Sequence, residues 1–451
     1  MNNNDNIVAI ATANGKGSIG VIRISGPNLI NIIGHIFKQE LYPRKVYYLP
    51  FLDKNEIIDR GIVIFFKAPN SYTGEDVLEL QCHGGIYVTR LILECLLKNK
   101  IELNLRLADP GEFTKRAFLN GKIDLTQAEA ISDLINAKSK IAVKSANISL
   151  SGKFSYILDN IQKNLINIQV IMEANLDFSE EEIEYLNIDK ILNNILEIKK
   201  EIKGLIHKSK FSFKIREGIN VALIGKPNVG KSSLLNKLID EEVAIVTPFA
   251  GTTRDVITKT IYIDGFQINL MDTAGIHDTK DPVEKIGIKR SMLAIKKADI
   301  ILNIHDIKNI NNINLKETIK LPKYKTINVF NKIDLIKTNL NFNIKPNKYN
   351  LYVSVKKSIG LEDIKNRITQ IANEKDQEEI PWLARKRHVE CLKNTIYHLD
   401  NAYNNLIKKD NFLELSAEEI RLAQNNINAI TGKFTNEDLL GEIFSSFCIG
   451  K

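Results

Sequence analysis

The chain is 451 residues long, 44% hydrophobic and 26% charged, an ordinary globular composition that sets aside disordered, collagenous and solenoid classes. Lys and Arg total 62 against 54 Asp and Glu, a net charge of +8 that permits an anionic partner such as nucleic acid; runs such as IKNINNINLKETIK, rich in residues of A- and T-rich codons, account for part of it. The four cysteines, Cys82, Cys95, Cys391 and Cys448, form neither a CxxC pair nor a dense framework, and neither a signal peptide nor a long apolar run is visible. The expectation is a reduced, cytoplasmic protein with no membrane segment.

Residues 1–119 mix the β-rich runs IVAIAT, GVIRIS, GIVIFF and VLELQC with the helical TRLILECLLKNK, which predicts an α+β domain. Over 120–216 the period becomes helical: Ile161, Leu165, Ile168 and Met172 share one face, and Ile191, Ile195, Ile198, Ile202 and Leu205 repeat the stripe, as core packing requires. Over 217–374 short apolar runs, NVALIG, INLMDT, IILNIH, INVFNK and LYVSV, each lead into a turn and a helix, the pattern of parallel βαβ units. Helical sequence resumes over 375–451. The expected fold is multidomain, α/β and α: an α+β N-terminal domain, a discontinuous helical domain, and an inserted P-loop (Ras-like) α/β domain.

The most specific motif is GKPNVGKS, between the strand NVALI and the helix SLLNKL. Its glycines let backbone N–H groups surround phosphates, with Asn228, Val229, Gly230, Lys231, Ser232 and Ser233 at the nucleotide; Lys231 meets the terminal phosphates and Ser232 offers Mg²⁺ its hydroxyl. DTAG (Asp272, Thr273, Ala274, Gly275) and NKID (Asn331, Lys332, Asp334) follow later strands, and together they select guanine, whose N1–H and exocyclic N–H suit the Asp334 carboxylate. Ser354, in SVK, stands where GTPases use SAK to hold the guanine carbonyl. The loop Thr247, Pro248, Phe249, Ala250, Gly251, Thr252 and Thr253 supplies the threonine, Thr253, that caps Mg²⁺. Ile276 follows DTAG where many GTPases place a water-orienting Gln; by analogy Glu284 is a candidate for that task and, with Lys231, for catalysis. A Glu there taken alone reads as a solvated helix residue, and it is the resemblance below that favours the role. A K⁺ held by Asn228 and backbone carbonyls offers the positive centre that an arginine finger supplies elsewhere.

VIRISGP (Val21 to Pro27), PNSYTGEDVLELQCHGG (Pro69 to Gly85), PGEFTKRAFLNGKIDLTQAEAISDLI (Pro110 to Ile135), GTTRD and the final FCIGK resemble, over essentially the whole chain, the MnmE (TrmE) family of tRNA modification GTPases. The resemblance implies a homodimer whose N-terminal domain binds a tetrahydrofolate derivative (5-formyl- or 5,10-methylene-tetrahydrofolate). It implies a heterotetramer with a flavin-dependent MnmG partner, and modification of the wobble uridine of certain tRNAs at carbon 5. It further implies K⁺ at Asn228, Thr247, Phe249 and Thr252, Mg²⁺ at Ser232 and Thr253, and folate at Arg23, Glu79, Lys122 and Lys451. Cys448, beside the last of these, is a candidate redox or catalytic thiol. Two positions depart from the pattern: Cys82 replaces the Gly of GHGG, and Ala13-Asn14 stand where a Pro-containing turn is usual. The alternative reading is a GTP-dependent RNA-binding or ribosome-assembly switch of the same superfamily, although no second Walker motif or GxxG RNA-clamping loop with flanking helices is evident.

Overall fold

Side-chain alternation turns NIVAI and IGVIRISG into β1 (Asn6–Ile10) and β2 (Ile19–Gly26), each with one face in a core. The structure, a computed structural model, describes residues 5–27, 29–54, 56–98, 103–177, 188–240, 258–272, 292–308, 321–322, 325–336, 347, 349–372, 382–408, 413–433, 443–445, 447 and 450. After β2 come α1 (Ile30–Phe37), β3 (Val46–Asp53), β4 (Glu56–Phe66), β5 (Asp76–His83), α2 (Ile86–Lys98) and β6 (Leu105–Leu107). The strands form one sheet, β3-β4-β5-β2-β1-β6, antiparallel except where β1 meets β6. Ile22, Ile24, Leu78 and Leu80 face a core shared with Ile32 and Ile33 of α1 and Ile92 and Leu96 of α2. Arg23 and Glu79 alternate with those residues and lie opposite each other in register, so both stand on the other face.

β3 is absent from the sequence reading because Pro50 interrupts VYYLPFLD. It survives as an edge strand, where a missing N–H breaks no interior ladder. Cys82, the departure from GHGG, is buried at 4% exposure and its Sγ contacts the Gly20 carbonyl at 3.5 Å. Burial, with Asp59 adding to it, pushes the thiol up to about 11, so Cys82 behaves as a small apolar side chain in β5.

Helices follow: α3 (Glu112–Leu119), α4 (Leu125–Ile135), α5 (Lys140–Leu150), α6 (Lys153–Asp177) and α7 (Ile188–Glu217). Both expected stripes are buried, none of their nine residues more than 5% exposed, and α6 packs on a later helix, α12 (Leu413–Thr431).

The second sheet contains β7 (Ile219–Gly225), β8 (Thr258–Ile263), β9 (Phe266–Asp272), β10 (Ile300–Asp306), β11 (Thr326–Asn331) and β12 (Asn350–Tyr352), ordered β12-β11-β10-β7-β9-β8. It carries α8 (Lys231–Asp240), α9 (residues 292–297) and α10 (Leu361–Ala372), and α11 (Lys386–Ile407) comes after it. All pairs are parallel except β8 with β9. β8 departs from the purely parallel expectation. It is joined to β9 by Asp264-Gly265, both with positive φ (48° and 82°), the backbone a two-residue hairpin turn requires, and DG between alternating apolar residues is a signal that finds it.

The chain divides into two compact units, one of Met1–Ser132, Ser149–Lys199 and Glu390–Lys451, the other of Asp133–Ile148 and Lys200–Val389. Among the described residues no helix is long and apolar enough to cross a membrane.

Candidate functional site

The strand order reverses between β7 and β10, and the phosphate loop leaves the end of β7 at that reversal, the place where open α/β sheets bind ligands. At Gly225 a Cβ would lie 2.4 Å from the Ile304 carbonyl oxygen, and at Gly230 (φ +100°) it would lie 2.4 Å from Asn331 Nδ2. Both positions therefore need glycine. Lys231 Nζ donates to the carbonyls of Gly225 (2.9 Å) and Lys226 (3.0 Å), which keeps its ammonium at the loop that phosphates would enter. Ser232 and Ser233 continue into the first turn of α8, whose unpaired N–H groups favour anions.

The guanine segment is tied to this loop. Asn331, 4% exposed, donates from Nδ2 to the Val229 carbonyl at 2.9 Å and accepts the N–H groups of Lys332 and Val355 at Oδ1. Lys332 donates from Nζ to the Asn228 carbonyl (2.9 Å) and to Asp306 Oδ2 (2.7 Å). Burial would raise the Asp306 carboxyl, but the Lys332 ammonium and the Lys308 N–H outweigh it and hold the group below its usual range. Asp306, at the end of β10, is a residue that motif reading missed, because its partner lies 26 positions away on another strand.

Asp334 accepts the Ser354 hydroxyl at 2.5 Å, and that bond keeps its carboxyl ionised below the usual range. The Ser354 N–H donates to the Ile359 carbonyl at 3.0 Å, so it is the side chain of Ser354 that meets Asp334.

In the N-terminal sheet Arg23 donates from Nε (2.9 Å) and Nη2 (2.7 Å) to one oxygen of Glu79. Lys122 Nζ donates instead to the Pro69 carbonyl at 3.0 Å, and no hydrogen bond among the described residues joins it to that pair. Thr247, Pro248, Phe249, Ala250, Gly251, Thr252, Thr253, Thr273, Ala274, Gly275, Glu284, Cys448 and Lys451 lie outside the described residues. Asp272 ends β9 beside β7, opposite Leu223. Among the described residues no group of three or more His, Cys, Asp or Glu is placed to hold a metal ion.

A phosphate loop at the reversal of a mostly parallel sheet, closed by an Asn-Lys-x-Asp segment that hydrogen-bonds to it, defines a P-loop GTPase. A family model described as "MnmE helical domain" matches residues 125–448, and one described as "GTP-binding protein TrmE N-terminus" matches residues 6–122. The curated "tRNA modification GTPase MnmE" of Bordetella parapertussis is 47% identical over 448 residues, 99% of each chain. That of Ralstonia nicotianae is 43% identical over 457 residues, 99% of this chain and 96% of the relative. Among solved structures, the G domain of the T. maritima FeoB iron transporter is 25% identical over 34% of this chain and 99% of that one, with a TM-score of 0.26, too low to carry an argument. The chain belongs to the MnmE family of tRNA modification GTPases. It is a GTP hydrolase that takes part in tRNA modification.

Proposed function

We propose that this chain is a K⁺-activated GTPase that acts with a flavin-dependent MnmG-type partner to install an aminomethyl or carboxymethylaminomethyl group at carbon 5 of the wobble uridine of certain tRNAs. The one-carbon unit comes from a tetrahydrofolate derivative. The observation that carries this reading is that one chain holds both a guanine-nucleotide site and a separate, preformed Arg23–Glu79 pair. Arg23 Nη1 and Glu79 Oε2 make no hydrogen bond among the described residues, leaving the two N–H groups of Nη1 and one carboxylate oxygen for a ligand that carries a carboxylate and the paired N–H groups of a pterin. In this reading the protein is a cytoplasmic homodimer, in a heterotetramer with its partner, divided into 1–119, 120–216, 217–374 and 375–451.

For hydrolysis, Lys231 exchanges its loop carbonyls for the terminal phosphates, and Asp334, held by Ser354, reads guanine. Glu284 orients the attacking water. Two of the donors support the ion reading: the Ser232 hydroxyl and the Asn228 amide make no hydrogen bond among the described residues, and a hydroxyl at the first turn of α8 suits Mg²⁺, with Thr253 as its other ligand. Asn228, with Thr247, Phe249 and Thr252, would hold K⁺, which supplies positive charge where the phosphoryl leaving group builds negative charge. GTP turnover is expected to be much faster in KCl than in NaCl; equal rates refute the K⁺ role. Nucleoside analysis of tRNA from cells lacking the gene is expected to show bare wobble uridines, and unchanged modification refutes the overall reading.

A further inference from the structure

The Arg23–Glu79 pair leaves unexplained why a guanidinium only about a fifth exposed stays at one carboxylate oxygen instead of forking across both; side-chain exposures are 21% for Arg23 and 18% for Glu79. Two aromatic rings stand close to it. The Arg23 guanidinium carbon stands 5.8 Å from the centroid of Tyr72 and 5.9 Å from that of Phe113. Phe113, in the first turn of α3, is fully buried with Ile7, Ala9 and Ala108, so its place is set by packing. Tyr72 is different: it is 38% exposed, in the irregular segment between β4 and β5, and its phenol oxygen is 2.9 Å from the hydroxyl of the fully buried Thr114.

We propose that Tyr72 is a positioning residue of the folate site: its ring holds the Arg23 guanidinium beside it and keeps Nη1 free for the ligand. The inference rests on the folate reading of Arg23 and Glu79. A cation close to two aromatic rings is attracted to both quadrupoles and loses the freedom to swing onto the second oxygen of Glu79. The ligand then meets a donor that is already oriented, and the cost of ordering it has been met in folding. Sequence alone does not suggest this pairing, because Tyr72 and Arg23 are 49 positions apart and meet only when the segment before β5 folds back over β2.

The test is calorimetric titration of the full-length protein with 5-formyltetrahydrofolate for wild type, Arg23→Ala, Tyr72→Phe and Tyr72→Leu, with thermal unfolding of each ligand-free protein. Tyr72→Phe keeps the ring and is expected to bind within about twofold of wild type; Tyr72→Leu loses the quadrupole and is expected to bind about tenfold more weakly. Tyr72→Leu binding as tightly as wild type, while Arg23→Ala does not bind, overturns the role of Tyr72 and leaves the folate reading standing. Equal losses in Tyr72→Phe and Tyr72→Leu also overturn it, since the hydroxyl and not the ring would then be what matters. Wild-type affinity in Arg23→Ala removes the folate reading and this proposal with it. Should Tyr72→Leu lose its cooperative transition, Tyr72→Met, unbranched and without a π face, takes its place under the same outcomes.

Discussion

Glu112 opens α3, the helix that carries both Phe113 and Thr114, and replacing it with Gln should loosen the N-terminal site through that helix. The carboxylate is 6% exposed and accepts Arg106 Nη1 (2.8 Å) and Nη2 (2.7 Å), Arg116 Nη2 (2.9 Å) and the Asp109 N–H (2.9 Å). Burial acts to raise its pKa, but the Arg106 bonds, the Asp109 N–H and Arg116 outweigh it and take the carboxyl from 4.5 down to about 2. At about 1.4 kcal/mol per pH unit, that difference amounts to about 3 kcal/mol at neutral pH. Arg106 is 35% exposed, so solvent screening reduces the usable part to about 2 kcal/mol. Arg116 keeps Glu75 at 3.0 Å and Arg106 keeps Asp5 at 3.2 Å, so neither cation in Glu112→Gln is stranded.

About 2 kcal/mol corresponds to roughly thirtyfold faster amide exchange in peptides covering β6 and α3, read by hydrogen-exchange mass spectrometry at pH 7. The sign with pH follows from a folded value below the unfolded one: the stabilisation is complete above pH 4.5 and is lost as pH falls toward about 2. The stability gap between wild type and Glu112→Gln should therefore narrow in acid. Unchanged exchange at pH 7, or a gap that stays constant through that acid window, refutes the reasoning.

Asp306→Asn removes the charge that holds Lys332 against the phosphate loop, and GDP affinity measured with a fluorescent guanine nucleotide should fall about fivefold to tenfold; no change would mean Lys332 needs no tether. Ser354→Ala lets the Asp334 carboxyl return toward its ordinary range, so its loss of guanine affinity should be modest at pH 7 and grow as pH falls, whereas a pH-independent loss rules out the hydroxyl's effect on ionisation. Gly230→Ala drives a methyl into Asn331 Nδ2, and tight GDP binding should disappear while the helical content in circular dichroism persists.

Much of the fold was legible because its signals are local. The nine apolar positions of α6 and α7 fall on buried stripes, since helical spacing alone decides which side chains share a face. The parallel strands of the nucleotide sheet were visible as apolar runs, and GKPNVGKS and NKID marked their turns, because phosphate and guanine recognition require particular residue types at particular backbone conformations. β3 was hidden by Pro50, whose cost depends on whether the strand is an edge. β8 escaped because the regular βαβ rhythm masked a hairpin signal at Asp264-Gly265.

The sites divide along the same line. Motif identity and spacing were enough to nominate Lys231, Asn331 and Asp334, whereas Arg23 and Glu79 came from the family resemblance. Neither was enough to show that the N–H of Ser354 is taken by Ile359, that Asp306 holds Lys332, or that Tyr72 and Phe113 stand close to Arg23. The sequence by itself determined the elements, the nucleotide motifs and the resemblance, because backbone propensity and motif spacing act over a few residues. Only the tertiary structure decided that Arg23 meets Glu79 across 56 positions and that Asn331 meets Val229 across 102. Those meetings follow from sheet order and strand register, which are set by burying the two cores as wholes and which no short stretch of chain encodes.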